Sequence, residues 1–441
     1  MCNPNFKQLI TGVALLCGII TQTLAADLNL LNKNQTYPVG SGNKITYTIQ
    51  NVSGADMKNF YLSNSLNSPS LPYTVSGLGQ VYQATAKIDS ATTCPLSLHG
   101  AQVFTNGASC QVVINPGTIN ALGVFSLNVA TSYNYVDVNG VAQHKPLSAN
   151  ASKVVIVPSQ LYVFGDGFSD ISNINLASRY VTLWDTDFAN DLGLSITPAM
   201  SGGTIYAETG ATATTSTGPY YDLAFLMSAF MATHPVADPN ALYIIWMGGA
   251  DLVHYAAPGV PAPNPYESVT VPATNNIMTA VANLQALGAK HIAVINLGNI
   301  GILPRLGGSA DNLFSALSAN FNMYLAQDMT NLNAANPSLP PIDTVDLTPA
   351  INNLFTGYQS CGFVNINYPC TALSPNAYCI ATSQASAIVP FNHPTLCNGS
   401  NIGLSPTAYF FYSPQDPSSA GHKYLSIAIE NQLYPGLNSE P

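Results

Sequence analysis

The chain has 441 residues, of which 47% are hydrophobic and only 7% are charged, and its formal net charge is −10. This length allows about two domains with a sizeable core, and the hydrophobic content excludes an intrinsically disordered chain. An acidic balance without a basic stripe excludes nucleic acid as an expected partner.

The first residues have the composition of an export signal. Lys7 precedes an apolar run over residues 9–20, and Thr23-Leu24-Ala25-Ala26 supplies small residues for cleavage. The run is short for a bilayer, and no later stretch reaches about 20 apolar residues. We therefore predict a signal peptide over residues 1–25, secretion to the periplasm or the cell exterior, and no transmembrane segment.

The cysteines predict disulfides rather than a metal site. Removal of the signal would leave six cysteines, and export favours their oxidation. Cys94 and Cys110 are expected to pair with each other. The remaining four allow three pairings, which the sequence leaves open: Cys361, Cys370, Cys379 and Cys397. Since no Cys-x-x-Cys pattern or histidine cluster is present, we predict neither a metal ion nor a cofactor.

Residues 27–157 are predicted to form an all-β module. Residues 44–50 alternate polar and apolar side chains, the period of a half-buried strand. Further strands are expected at 107–117, 124–130 and 153–157. Short strands between turn residues are typical of a sandwich, and the Gly-Ala-Ser-Cys segment gives a loose resemblance to bacterial immunoglobulin-like modules. Residues 158–160 are the predicted junction.

From residue 161 onward, apolar strands alternate with amphipathic helices, which predicts a parallel sheet with helices on both faces. The expected strands are 161–164, 241–247 and 291–297, and the expected helices are 275–287, closed by Gly288, and 424–433. Ligands bind at the carboxyl ends of strands in such sheets. Asp166-Gly167 and Ala250-Asp251 fall at such ends.

One of these strand ends carries a recognisable motif. The segment over residues 163–173 resembles block I of the GDSL, or SGNH, ester hydrolases, which reads Phe-Gly-Asp-Ser-Leu-Ser-Asp-x-Gly-Asn. Residues 202–211, 248–251 and 412–422 are similar to blocks II, III and V. The resemblance implies a doubly wound α/β fold of the SGNH type for residues 161–435. It also implies lipids or other acyl esters as ligands.

The resemblance further identifies the positions of the family's catalytic groups. A serine attacks the ester, a histidine accepts its proton, an aspartate orients that histidine, and an asparagine completes the oxyanion hole. In this chain each of the four positions carries a different side chain: Gly167 for serine, Ala250 for asparagine, Ser413 for aspartate and Asp416 for histidine. Gly210 keeps a backbone donor of the oxyanion hole, and Ile205 replaces the asparagine of block II.

Three functional hypotheses follow from these replacements. The first is an exported pseudoenzyme that binds a lipid, a glycan or a protein without cleaving it. The second is an active lipase, lysophospholipase or acyltransferase that uses rerouted residues, with Ser169, His422 and Asp416 as candidates. The third is an adhesin or surface-attachment protein that acts through the β module. The sequence favours the first hypothesis. A single inactivating change would have left the family's base and acid in place, whereas here all four positions are replaced.

Overall fold

The computed structural model describes the chain from Asp27 to Leu437 with internal gaps. The described residues are 27–64, 70–128, 131–147, 153–173, 182–215, 221–257, 259–306, 312–359, 363, 366, 410–411 and 416–437. The predicted signal peptide, Ser413 and four of the predicted disulfide cysteines lie outside them: Cys361, Cys370, Cys379 and Cys397.

The chain divides into two compact units at Pro158. One unit comprises the described residues from Ser159 to Glu430. The other comprises those up to Pro158 together with residues 431–437. We call the first the α/β unit and the second the β unit.

The β unit contains twelve strands among its described residues. They are β1 (Leu28–Leu30), β2 (Asn34–Pro38), β3 (Ile45–Asn51), β4 (Met57–Asn64), β5 (Leu71–Gly77), β6 (Gln80–Ile88), β7 (Gln102–Phe104), β8 (Ser109–Asn115), β9 (Gly123–Leu127), β10 (Thr131–Val136), β11 (Ala142–Leu147) and β12 (Lys153–Val157). A short 3-10 helix covers Leu98–Gly100.

These strands form two sheets. One has eight strands in the order β1-β3-β8-β6-β5-β9-β12-β2, and the other has four in the order β11-β10-β4-β7. Strand β3 shows how alternating side chains fit a sheet with one buried face. Ile45, Tyr47 and Ile49 are buried, and the residues between them are half-buried. The β-rich prediction is confirmed, whereas its immunoglobulin-like character stays a prediction.

A disulfide joins Cys94 to Cys110, as expected from the sequence, across 16 positions of the chain. Both cysteines are buried. Cys110 lies on β8, so the bond fastens the segment before β7 to the larger sheet. Closing a loop of this length contributes about 3 kcal/mol to stability in the chain-entropy description.

The α/β unit alternates strands and helices along the chain. Its strands are β13 (Leu161–Gly165), β14 (Ile205–Ala207), β15 (Leu242–Trp246), β16 (His291–Ile295) and β17 (Asp343–Val345). Its helices are α1 (Trp184–Asp191), α2 (Leu223–Thr233), α3 (Gly249–Val253), α4 (Glu267–Leu287), α5 (Leu313–Ala335), α6 (Thr348–Gly357) and, up to Glu430, a C-terminal helix (Ser419–Leu433). Short 3-10 helices cover Ala199–Ser201, His254–Ala256, Ile300–Ile302 and Pro304–Leu306.

The five strands form one parallel sheet in the order β14-β13-β15-β16-β17. The predicted parallel α/β fold is therefore confirmed. Strands β13 and β15 are buried along their whole length, as parallel strands covered by helices are. In chain order the sheet reads second, first, third, fourth, fifth, so its direction of winding reverses between β13 and β15. A crevice opens at such a reversal, outside the carboxyl ends of the two strands.

Two helices begin earlier than the sequence predicts. Helix α4 starts at Glu267 rather than residue 275 and includes Pro272, which lacks the N–H for an internal hydrogen bond. Burial of Val269, Thr270 and Ala273 offsets that loss. The C-terminal helix starts at Ser419 rather than residue 424, and its Gly421 packs closely: a Cβ there would lie 2.4 Å from the Phe410 carbonyl oxygen.

Helix α4 ends where the sequence predicts. Gly288 has a φ of 103°, and its N–H donates to the carbonyl oxygens of both Gln285 and Leu284. A left-handed residue after the last turn is the common position for glycine. Among the described residues, none of the helices combines the length and hydropathy needed to cross a membrane.

Candidate functional site

The loops resembling blocks I and III meet at the reversal of the sheet. Gly165, the last residue of β13, pairs with Trp246, the last residue of β15. A Cβ on Gly249 would lie 3.1 Å from Asp166 Oδ2. The residues following the two strands are therefore direct neighbours, and Gly167 lies beside the start of α3.

Asp166 shapes the turn that carries Gly167. Its Oδ1 accepts the Phe168 N–H at 3.1 Å, and its carbonyl oxygen accepts the Ser169 N–H at 3.1 Å. Gly167 is half-buried between these bonded groups. With hydrogen in place of a side chain, position 167 presents no nucleophile to the crevice.

Asp170 joins block I to block II. Its Oδ1 accepts the N–H groups of Ser172 at 3.0 Å and Asn173 at 2.8 Å. Its Oδ2 accepts the Thr209 N–H and the Thr209 hydroxyl, each at 2.9 Å. Four donors satisfy this buried carboxylate, which fixes the two loops together.

Ser169, a candidate for a rerouted nucleophile, lies beneath the loop. Its side chain is fully buried, and its Oγ accepts the indole N–H of Trp184 at 3.1 Å. A Cβ on Gly165 would lie 2.7 Å from the Ser169 Cβ, so glycine at 165 makes room for this serine. The hydroxyl therefore faces the core rather than the crevice.

Aromatic rings surround the base of the block I loop. The Phe168 ring lies 5.7 Å from Trp246 and 6.3 Å from His422, and Trp184 lies 5.5 Å from Trp246, each in an edge-to-face arrangement. Such contacts contribute about 1 kcal/mol each beyond the area they bury. Trp184 and Trp246 are core residues.

Block II supplies a backbone donor in a left-handed conformation. Gly210 has a φ of 86°, which a residue with a Cβ rarely adopts. Ile205, which the sequence predicts to stand in the position of the family's asparagine, is fully buried in β14. Asn173 lies against the same strand, where its Nδ2 donates to the carbonyl oxygens of Ile205 and Ala207 at 2.7 Å.

Block III is held tightly by its glycine and its aspartate. Gly248 has a φ of 112°, and a Cβ there would lie 2.6 Å from the ring of Phe321. Asp251 accepts the Ala213 N–H at 2.7 Å and, through its other oxygen, the Thr214 N–H at 2.9 Å and hydroxyl at 2.6 Å. Burial raises the pKa of Asp251, and these donors act in the opposite direction.

Ala250 lies between these two anchored residues, in the first turn of α3. It is half-buried. Its methyl group cannot donate the hydrogen bond that an asparagine side chain supplies to an oxyanion. The backbone geometry of the block is thus present without its polar side chain.

The described part of block V holds Asp416 and His422. Asp416 is half-buried, and its neighbour Pro417 forms an isolated bridge with Phe411. His422 is only 1% exposed and lies in the first turn of the C-terminal helix, with its N–H donated to the Ser418 carbonyl at 2.8 Å. His422 therefore contributes to the core beneath Phe168.

Sequence reasoning missed one residue at this edge of the sheet. Glu208 follows β14 directly, and its side chain is 5% exposed. Its N–H donates to the Gly165 carbonyl at 3.2 Å. The available sign was a charged residue within an otherwise uncharged block II, two positions before Gly210.

Among the described residues, no group of histidine, cysteine, aspartate or glutamate side chains has the arrangement of a metal site.

The fold and the blocks together define a class of protein. A five-stranded parallel sheet wound in two directions, with blocks I, II and III at the carboxyl ends of adjacent strands, is the framework of an SGNH-type hydrolase domain. Residues 161–429 match the family described as GDSL-like Lipase/Acylhydrolase. Because that match covers more than half of the chain, this protein belongs to the GDSL family.

Individual relatives are distant. Lipase 1 of Photorhabdus luminescens is 27% identical over 198 residues, which are 40% of this chain and 29% of that protein. A GDSL esterase/lipase of Arabidopsis thaliana is 23% identical over 215 residues, covering 46% of this chain and 53% of the relative. The chain therefore spans about half or less of these relatives' lengths.

A structure titled as a possible lipase from Chitinophaga pinensis is 14% identical to this chain, with a TM-score of 0.31. The aligned region covers 62% of this chain and 96% of that one.

Proposed function

We propose that this protein is an exported member of the GDSL family that has lost ester hydrolysis and binds its ligand without cleaving it. The observation that supports this proposal most directly is the joint replacement of the family's four catalytic side chains, at Gly167, Ala250, Ser413 and Asp416. The ligand is an acyl lipid or a glycan, reached at the crevice between β13 and β15. The signal peptide over residues 1–25 and the domain limits 27–157 and 161–435 belong to the same proposal.

The size of each loss supports this proposal. Removal of one oxyanion donor, as at Ala250, lowers a rate by about 10²–10³. Removal of the nucleophile or of its general base lowers kcat by about 10⁶, and further losses add little because these groups act together. Gly167 alone is thus sufficient to abolish the family's mechanism. The other three replacements are of the kind expected to accumulate once ester hydrolysis is no longer required of the protein.

The burial of the rerouting candidates supports it as well. A nucleophile needs a hydroxyl that reaches the ester carbon and a base within hydrogen-bonding distance. Ser169 directs its hydroxyl to the indole N–H of Trp184, and His422 is enclosed in the core. Use of either residue in catalysis would require the block I loop to open and the Trp184 hydrogen bond to break.

Ester hydrolysis by the full-length protein is the direct test. We expect no turnover above buffer on p-nitrophenyl butyrate, p-nitrophenyl palmitate or a lysophospholipid. The Ser169→Ala variant provides the matched comparison, because it removes the nearest serine hydroxyl in block I. Turnover by the wild-type protein that disappears in Ser169→Ala would overturn the proposal in favour of an active, rerouted hydrolase.

Retained binding is the second half of the test. The wild-type protein is expected to bind acyl chains or glycans in a screen that includes both classes, and the bound ligand should be recovered chemically intact. Recovery of a cleaved ligand would contradict the proposal.

A further inference from the structure

Helix α2 is apolar on the side that faces the core and also on the side that faces outward. Residues 223–237 include no aspartate, glutamate, lysine or arginine. The inward side is packed, since the Phe230 ring lies 5.4 Å from Phe164 on β13 and 5.5 Å from Tyr206 on β14. A helix that is apolar all round is normally buried, yet the outward side of α2 is exposed. The exposed residues recur with the helical period, and we call them the α2 face: Tyr221, Ala224, Phe225, Ser228 and Ala232.

Two aromatic rings form the largest part of the α2 face. Tyr221 is 41% exposed and Phe225 is 48% exposed. Their rings are stacked, with centroids 4.0 Å apart. The residue between them on the chain side of the helix, Asp222, turns its carboxylate to the helix start and accepts the Phe225 N–H at 2.8 Å. The pair is therefore a fixed, uncharged aromatic surface that gains free energy when it leaves water.

The α2 face begins at the same end of the sheet as the candidate site. The Thr212 N–H donates to the Tyr221 carbonyl at 3.3 Å, and the Leu223 N–H donates to the Thr212 carbonyl at 2.9 Å. Two residues later, Thr214 donates its N–H and its hydroxyl to Asp251 of block III. The first turn of α2 is thus bonded to the segment that block III holds in place.

The size and charge of the α2 face indicate what covers it. The helix has 11 residues, so the face is about 16 Å long and about 10 Å wide. A stable dimer buries about 800 Å² of each partner, several times more than this face offers. The face also carries no cation to attract anionic lipids, and the chain has a net charge of −10. An apolar phase with uncharged or zwitterionic head groups fits both properties.

We propose that the α2 face docks the protein onto a zwitterionic lipid surface. The Phe225 ring enters the boundary between head groups and acyl chains, and the Tyr221 hydroxyl stays among the head groups. Docking presents the crevice between β13 and β15 to the surface that supplies an acyl lipid. The inference rests on the proposed function, because it takes a lipid rather than a glycan as the ligand at that crevice.

Sedimentation of the full-length protein with phosphatidylcholine vesicles tests this docking. We expect the protein to sediment with these vesicles, and raising the salt concentration should not release it because the α2 face is uncharged. Replacing part of the phosphatidylcholine by anionic phosphatidylglycerol should not strengthen binding to this acidic chain.

The Phe225→Gln variant removes the ring and keeps a good helix former. We expect its partition coefficient to fall at least about tenfold, since about half of the Phe225 side chain is still available for burial. Met323→Gln is the matched control, because Met323 is 53% exposed on α5 of the same unit. The control should partition like the wild-type protein. All proteins carry the same N-terminus, so residues 1–25 contribute equally to each.

Several results would overturn the docking. They are failure of the wild-type protein to sediment with phosphatidylcholine vesicles, unchanged binding in Phe225→Gln, or an equal loss in Met323→Gln. A lipid-free dimer that Phe225→Gln dissociates, seen by sedimentation velocity, would assign the face to a second copy instead. If Phe225→Gln does not fold, Tyr221→Gln takes its place and should also weaken binding. Absence of vesicle binding leaves the proposed function intact, since that function is decided by ester turnover.

Discussion

The indole N–H of Trp184 donates a hydrogen bond to the Ser169 hydroxyl at 3.1 Å, within a region where both side chains are fully buried. Ser169 belongs to block I and Trp184 begins α1, so the bond fixes the loop that carries Gly167 to the body of the α/β unit. Ser169, two residues after Gly167, is thus committed to structure.

Ser169→Ala should reduce stability rather than any activity. The substitution leaves the Trp184 N–H buried without an acceptor, which costs about 1–3 kcal/mol. Chemical denaturation followed by tryptophan fluorescence measures this change. Ser228→Ala is the control, because its exposed hydroxyl bonds only to the Ala224 carbonyl of its own helix. Equal stability of the two variants would contradict the structural role of Ser169.

Gly248→Ala should destabilise the α/β unit strongly. The added methyl group meets the Phe321 ring at 2.6 Å, and the residue must hold a φ of 112°. Overpacking and a left-handed conformation together cost about 2–5 kcal/mol. Gly193→Ala separates the two causes, since Gly193 has a φ of 71° but nothing lies within 4 Å of its added Cβ. That control should lose only about 1–2 kcal/mol.

Gly167→Ser should not produce an esterase. In the proposed alignment of block V, Asp416 and Ser413 occupy the positions of the family's base and acid, so the new hydroxyl would lack both. Without its base, the serine is expected to contribute nothing measurable. Hydrolysis of p-nitrophenyl butyrate is the assay, and the comparison is a variant that also carries Ala250→Asn, Ser413→Asp and Asp416→His. Only that fourfold variant should show turnover; activity of Gly167→Ser alone would contradict this account.

Asp343→Asn should stabilise the protein in a pH-dependent way. Burial at the start of β17 raises the pKa of Asp343 to about 8, far above that of the unfolded chain. The unfolded state therefore loses this proton near pH 4 and the folded state near pH 8, so the wild-type stability falls as the pH rises between those values. The slope is at most about 1.4 kcal/mol per pH unit.

Denaturation curves of Asp343→Asn and the wild-type protein between pH 4 and pH 9 check this expectation. Their free energies of unfolding should agree near pH 4 and diverge, in favour of the variant, towards pH 8. Asp222→Asn is the control, since Asp222 is an N-cap that accepts the Phe225 N–H at 2.8 Å at the start of α2. A constant difference across the pH range would show that Asp343 is not the titrating group.

The sequence alone determined the architecture of the α/β unit and the strand ends at which the candidate site lies. Alternating strands and helices specify a parallel sheet because each amphipathic helix must cover a face of it. The ends of β13 and β15 then lie side by side, so Asp166-Gly167 and Ala250-Asp251 meet. Local patterns also placed the Cys94–Cys110 disulfide.

Only the tertiary structure decided the roles of the side chains that remain. Asp170 accepts from Thr209, 39 positions away, and Ser169 is buried by Trp184. Hydrogen-bond partners and burial arise from packing between segments distant in the chain, and no local pattern encodes them. For that reason the replacement of the catalytic groups is proposed from the sequence, and the fold shows what Ser169 and Asp170 contact.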